Sequence, residues 1–309
     1  MESGRAGVSE LCRRAGMSRQ NYYVARRRRR RRRLEREVVV QLVKEERRVQ
    51  PRLGARKLLH LLRSPLLEAK VEVGRDRFLG VLRQNGLLVE RKPRTKRTTQ
   101  SRHGLPVHRN LVRENPPQGP NEVWVSDLTY IRTTEGFLYA SVIMDAWSRK
   151  LVGMHVGDTL ESVGCQAALR EALKGLPAGK RPIHHSDRGC QYCCGAYMEM
   201  LGAAGLVASM TEKNHCYENA QAERVIGVLK GEYELDRNFN TKHQARVAIT
   251  EARKLYNQRR PHFALNLRTP SDVHHASHSG LLVGSGPLGS LRSPPLPLAH
   301  QQPGSPPEM

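Results

Sequence analysis

A chain of 309 residues has room for two or three domains of roughly 100–200 residues each, and needs none of the staples of a mini-protein. It carries 52 Lys/Arg against 29 Asp/Glu, a net charge of +23, and this excess points to a polyanionic partner rather than to an acidic surface or a neutral ligand. At 38% apolar residues, with no run near the ~18 apolar residues of a spanning helix and no apolar centre at the N-terminus, the composition excludes a helical membrane protein and a secretory leader. A cytoplasmic protein is the expectation. The charge is uneven: residues 1–120 hold 32 Lys/Arg and 11 Asp/Glu, so +21 of the +23 lies there. Six scattered cysteines, Cys12, Cys165, Cys190, Cys193, Cys194 and Cys216, do not form a disulfide framework and read as small hydrophobes.

In chain order, residues 8–25 read as two short helices broken at Gly16. Val8, Leu11, Cys12 and Ala15 make an apolar stripe, and Ser18 caps the second helix. This is a helix-turn-helix pattern whose second helix presents Arg19, Gln20 and Asn21 near its start, where base edges would be read; an ordinary helical hairpin has the same pattern. Arg26 to Arg33 follow without a break. Such a block, with Arg26, Arg27, Arg28, Arg29 and Arg30 as named DNA contacts, is either a disordered arm or a helix steadied by phosphates.

Helical spacing recurs at Val38–Glu46, Arg56–Leu62 and Arg75–Gln84, with Gly86 as a stop, and offers Arg56, Lys57, Arg75 and Arg77 as a second set of DNA contacts. Residues 91–120 are basic and Pro-rich, an extended linker. From Asn121 the texture changes. Val123–Val125, Phe137–Met144, Leu151–Val156, Pro182–Ser186 and Leu206–Met210 read as strands, and Glu161–Leu173, Tyr197–Ala204, Ala220–Tyr233 and 242–257 as helices. The expected organisation is 1–36 helix-turn-helix plus arginine arm, 37–90 a second helical DNA-binding region, 91–120 linker, 121–275 an α/β core, and 276–309 a disordered, Pro-rich tail.

Three carboxylates stand at strand ends and on a helix of that core: Asp127 after the first strand, Asp187 after the fourth, and Glu223 one turn into the helix of 220–233. Carboxylates converging in a cleft repel unless divalent cations sit between them, and Mg²⁺ or Mn²⁺ accepts such oxygens while keeping waters for substrate phosphate. Two such ions suit an in-line phosphodiester displacement.

Asp127, Asp187 and Glu223, with thirty-five residues between the last two, resemble the DD(35)E pattern of the integrase-core transposases. The flanks are similar too: Asp145-Ala-Trp-Ser-Arg-Lys, His185-Ser-Asp-Arg-Gly-Cys-Gln-Tyr, Asn219-Ala-Gln-Ala-Glu-Arg-Val-Ile-Gly-Val-Leu-Lys and Tyr256-Asn-Gln-Arg-Arg-Pro-His look like the OrfB transposases of bacterial insertion sequences. The resemblance implies a ribonuclease H-like integrase core, a mixed five-stranded sheet with flanking helices preceded by an all-α DNA-binding region. It also implies two Mg²⁺ (or Mn²⁺) ions held by Asp127, Asp187 and Glu223, with Lys230 meeting DNA. Cleavage and strand transfer at element ends would follow, by a homo-oligomer on DNA, with an upstream-frame protein as a fused or separate partner.

Other readings attach to the same residues. Asp145 is a rival ligand or a turn residue. Lys230 can be an ordinary solvated helix residue, and His184 and His185 read as structural histidines. His262 matches the family motif without a mechanism to derive from it. Cys190-x-x-Cys193-Cys194 lacks the second ligand pair of a zinc ribbon. A catalytically silent DNA-binding descendant is the alternative function. A ribonuclease H acting on RNA–DNA hybrids would leave the N-terminal helices without a role.

Overall fold

A helix-breaking glycine organises the start of the chain. In the computed structural model, which describes residues 7–90, 106–212 and 219–276, α1 (Val8–Arg14) ends in a turn where Gly16 takes φ +60°, a region that favours glycine. Ser18 then caps α2 (Arg19–Val49) by accepting a hydrogen bond from the Asn21 N–H at 3.1 Å. Residues 91–105, Cys216 and residues 277–309 of the expected tail lie outside the described residues.

Of the two readings of the arginine run, the structure has the helix: α2 runs unbroken for 31 residues, through the run and through residue 36. Arginine is a good helix former, and the run is relieved at its far end by Arg31–Glu35 and Arg33–Glu37 pairs at 2.8 and 2.9 Å, each four residues apart. The distal half of α2 is anchored by burial of Val39 and Val43 against Leu58, Leu62, Phe78 and Leu82 of the neighbouring helices. These are α3 (Ala55–Leu61), α4 (Arg63–Glu68) and α5 (Arg75–Gln84), with Gly54 and Gly74 at the N-caps of α3 and α5. Helix α4 was not expected after Ser64-Pro65, yet proline fits within the first turn of a helix, where its missing N–H is not needed.

The second unit is a five-stranded mixed sheet in the order β3-β2-β1-β4-β5. Strands β1 (Val123–Thr133), β2 (Gly136–Asp145) and β3 (Leu151–Gly157) form an antiparallel meander. Strands β4 (Ile183–Ser186) and β5 (Val207–Met210) run parallel to β1. Helix α6 (Ser162–Lys174) makes the crossover from β3 to β4, and α7 (Cys190–Cys193) and α8 (Gly195–Ala203) make the one from β4 to β5. Strand β1 is much longer than the three-residue strand expected, because β2 pairs with it as far as Thr133↔Gly136 although β4 accompanies only its first residues. Asp127 therefore lies inside β1 rather than after it.

The sheet separates two apolar layers, as period-2 alternation requires. Val123, Val125 and Val142 pack with Val225 and Leu229 of α9 (Ala220–Glu232) and with Ile249 and Tyr256 of α10 (Lys242–Gln258). Trp124 and Ile143 pack with Ala168 and Leu169 of α6 and with Tyr197 and Leu201 of α8. A 3₁₀ turn at Phe263–Leu265 and α11 (Pro270–Ala276) close the described chain.

Close approach of β3 to α6 depends on Gly153, where an added Cβ would lie 2.3 Å from the Ala168 carbonyl oxygen and 2.9 Å from the Ala172 Cβ. Neither neighbour is a flexible side chain. Gly153→Ala should destabilise the core by about 1–3 kcal/mol through overpacking, read as a lower midpoint in denaturant with an unchanged slope.

Candidate active site

Parallel pairing of β1 and β4 decides where two of the three carboxylates go. Val123, Trp124 and Val125 pair with Ile183, His184 and His185. Asp127 and Asp187 each lie two residues beyond the Val125↔His185 pair, Asp127 within β1 and Asp187 one residue past the end of β4. Asp127 is 3% exposed, and its Oδ1 accepts the Leu128 N–H at 2.8 Å. Asp187 is half-buried, and its Oδ1 accepts the Gly189 N–H at 3.0 Å in the turn into α7. The pKa of the buried Tyr192 phenol is pushed up by burial first, then by Cys165 and Tyr197, and further by Asp127 and Asp187.

The third carboxylate comes from another element. Helix α9 begins at the same sheet edge because the Asn219 amide donates to the Ser126 carbonyl at 3.0 Å, one residue before Asp127. Glu223 is in the first turn of α9 and half-buried. Lys230, seven residues on, sits with its ammonium 4.4 Å from the centre of the Tyr130 ring on β1. Among the described residues no three His, Cys, Asp or Glu side chains gather as a group that could hold a metal ion. The fold thus sets Asp127 and Asp187 equally far past one parallel strand pair and starts α9, with Glu223 in its first turn, from Asn219 bound to Ser126, without gathering a three-ligand cage among the described residues.

Asp145 is a different kind of residue. It is fully buried at the far end of β2, opposite Trp124 and three residue pairs from Asp127. Its carboxylate accepts the Asn121 N–H at 2.7 Å and the Ser148 N–H and O–H at 2.7 and 2.6 Å, with His274 at 3.8 Å. Burial alone would raise its pKa, but the hydrogen bonds from His274, Ser148 and Asn121 outweigh that and hold the carboxyl below the usual range. This is a turn-closing knot, three residue pairs along β1 and β2 from Asp127.

Both histidines of β4 are buried. His184 meets the Tyr197 hydroxyl at 2.9 Å, and burial together with the adjacent His185 pushes its pKa down to about 3, so it is neutral. His185 meets the Ser209 hydroxyl at 2.9 Å. Cys193 is equally internal, its Sγ 3.7 Å from the Met210 Sδ, and burial raises its thiol to about 11.

The expected DNA contacts divide into two kinds. Arg19, Gln20, Asn21 and Arg26 to Arg30 are all exposed on α2. Arg75 and Arg77 are exposed on α5, Arg75 beside Asp76 and Arg77 bound to Glu35 of α2. Arg56 lies over the Phe263 ring at 4.7 Å. Lys57 is of the second kind: its side chain is 11% exposed and paired with Glu232 at 3.3 Å, and its pKa is pushed down to about 8 by burial and by Arg260.

Sequence reasoning passed over the residues around Lys57. Glu232, at the end of α9, is chelated by Arg260 through two 2.7 Å hydrogen bonds. Buried Glu46 of α2 is chelated by Arg259 at 3.0 and 2.6 Å. His262 takes a 2.9 Å contact from the Arg260 guanidinium, and burial with the surrounding cations drives its pKa to about 2. The Arg259-Arg260-Pro261-His262 run thereby acquires a physical role, as the seam between the helical unit and the core. Adjacent arginines with no nearby acid in sequence were the only signal for it.

Comparison with known proteins agrees with this architecture. Two models described as "Integrase core domain" match residues 117–216 and 204–270. The chain is 34% identical to the uncharacterized 31 kDa protein of insertion element IS600 of Shigella sonnei over 274 residues, spanning 87% of this chain and 98% of that protein. It is 31% identical to the transposase for insertion sequence element IS629 of Shigella sonnei, over 74% of this chain and 75% of that one. Among solved structures it is similar to the HTLV-2 integrase catalytic core domain in complex with magnesium, with TM-score 0.41, 18% identity, and coverage of 51% of this chain and 99% of that one. On the family models and the near full-length relationship to insertion-sequence proteins, the chain belongs to the insertion-sequence transposases of the retroviral integrase superfamily, and its function is that of a DNA transposase.

Proposed function

We propose that Asp127, Asp187 and Glu223 hold divalent metal, Mg²⁺ or Mn²⁺, and that the core of residues 121–275 uses it to cut DNA at element ends and join the ends to a target. The observation that carries this reading is the register of β1 and β4, with Asp127 and Asp187 each two residues past one parallel pair. The chemistry of the donors fits the ion: hard carboxylate oxygens, one of them on a 3% exposed side chain. Asn219 adds a buried Oδ1 that accepts no hydrogen bond among the described residues. Magnesium is characteristically bound by one or two carboxylates together with substrate phosphates rather than by an all-protein cage. Two adjacent aspartates with a glutamate on a separate helix make a site that the DNA backbone completes. When bound, the metal supplies charge stabilisation for the phosphodiester displacement.

The chain's own groups do the rest. Asp127 sits within β1 and Asp187 directly after β4, Glu223 closes from α9, and Lys230 over Tyr130 holds positive charge along the same helix for a DNA phosphate. The exposed cations of α2 bind the backbone, and Arg19, Gln20 and Asn21 at its capped start read element ends as a helix-turn-helix, with Arg56, Arg75 and Arg77 as further contacts. Homo-oligomerisation on DNA and an upstream-frame partner belong to the same reading. A catalytically silent DNA-binding protein fits less well, because it would have no use for carboxylates in matching register.

The test is metal removal. With a duplex bearing the repeats that flank the gene, chelation by EDTA should stop strand cleavage and joining while leaving end binding intact, and Mg²⁺ or Mn²⁺ should restore both reactions. Cleavage that continues in excess chelator would overturn the reading.

A further inference from the structure

Helix α9 is held at both ends, and the two ends belong to different parts of the molecule. At its start, the Asn219 bond to Ser126 and the first-turn Glu223 tie it to the candidate active site. Its last residue, roughly 18 Å away at 1.5 Å per residue, is gripped by the N-terminal helices. The Glu232 carboxylate takes the Lys57 ammonium of α3 at 3.3 Å as well as the two Arg260 hydrogen bonds, and its carbonyl accepts the Arg52 N–H at 3.1 Å. The next residue, Tyr233, donates its hydroxyl to the Gln50 side chain at 3.3 Å, and Gln50 donates to Glu46, the buried acid that Arg259 chelates.

Each pair has at least one enclosed member. The side chains of Lys57, Arg260 and Glu46 are 11%, 5% and 4% exposed, against 24% for Glu232 and 51% for Arg259. Such pairs need near-ideal geometry to offset their desolvation, so they fix one relative placement of the two units rather than a range. A straight helix of thirteen residues transmits that placement, since a rigid element moves as one body.

The geometry points to Glu232 as a positioning residue: its junction with Lys57 and Arg260 sets α9, and through α9 sets Glu223, so the helices that grip DNA govern assembly of the metal site. This rests on the reading that Glu223 is a metal ligand. Free to shift at its far end, α9 would still form and still pack its Val225 and Leu229 on the sheet, but would present Glu223 less often beside Asp127 and Asp187.

The experiment measures end binding and the Mg²⁺ concentration for half-maximal cleavage on the same terminal duplex. The variants are Lys57→Met, Glu232→Gln, Tyr233→Phe, Lys57→Arg and Glu223→Gln in the full chain. Supporting groups around a metal site typically change its affinity about 10–100-fold, so Lys57→Met and Glu232→Gln should raise the Mg²⁺ requirement roughly ten-fold or more, with end binding held within about two-fold. Tyr233→Phe removes a single hydroxyl and should shift the requirement in the same direction by less, which keeps the test open if Glu232→Gln fails to fold. Lys57→Arg should recover most of the loss. An unchanged Mg²⁺ requirement in Lys57→Met and Tyr233→Phe, or end binding that falls in step with cleavage, overturns the positioning role. Glu223→Gln separates the two readings: if it still cuts DNA the metal-ligand assignment has failed, whereas if it is inactive while the junction variants match wild type only the positioning role has failed.

Discussion

Asp127→Asn should bind element ends as the wild type does and cut them at least about 100-fold more slowly. Outer partners of metal ligands already account for about 10–100-fold in affinity or activity, and a direct ligand accounts for more. The amide keeps the shape and the local hydrogen bond that Asp127 makes to the Leu128 N–H, so the strand and its pairing to β2 persist. Half of the charge that Asp127 and Asp187 present at matching register is lost. Stability should be unchanged or slightly raised, since a nearly buried anion beside another anion is replaced by a neutral group. Parallel assays of end binding, cleavage and thermal unfolding check all three statements. Cleavage at the wild-type rate would remove Asp127 from the site.

Asp145→Ala should do the reverse. The carboxylate of Asp145 is fully buried and accepts hydrogen bonds from Asn121 and twice from Ser148, with His274 beside it. Removing it strands those donors in the interior, each at about 1–3 kcal/mol, and the loss should total about 3–5 kcal/mol. For a domain of this size that lowers the melting temperature by roughly 10 °C. Metal dependence of any folded fraction should match wild type, because Asp145 stands three residue pairs from Asp127. The pH dependence follows from the lowered folded-state pKa. Such a group adds stability that is complete above the unfolded carboxyl value of about 3.9 and is lost as pH falls through the folded value. Wild-type and Asp145→Ala stabilities should therefore stay apart by a nearly constant amount from about pH 4 to neutrality and draw together as pH falls below it. Equal curves across that range would show that the knot contributes nothing.

These two acids illustrate what the sequence could and could not distinguish. Both follow apolar runs, and both stand in flanks that match the family. Asp127 and Asp145 separate only when β1 and β2 pair antiparallel, which sends the end of β2 back to the start of β1. The five strands and the helices of the core were readable because each is a short apolar run or a 3.6-residue stripe bounded by turn residues. The length of β1 was not readable, since Tyr130, Ile131 and Arg132 pair with β2 residues that lie later in the chain. The arginine run of α2 left an arm and a helix both open, because eight like charges repel locally. The burial of Val39 and Val43 and the acids Glu35 and Glu37 that offset this lie at or beyond its end.

Length, charge asymmetry, the alternation that builds an α/β core, and the spacing of Asp127, Asp187 and Glu223 were set by the sequence itself, because each rests on local chemistry or on counting along the chain. The fate of individual charged residues was decided in three dimensions. Lys57 and Arg26 are both cations on helices, yet one is enclosed beside Glu232 and the other faces solvent. The Arg259-Arg260 pair finds its acids 213 and 28 residues away, and no local rule encodes partners at such separations. Desolvation makes a buried charge depend on whatever partner the packed chain brings to it, and only tertiary structure supplies that partner.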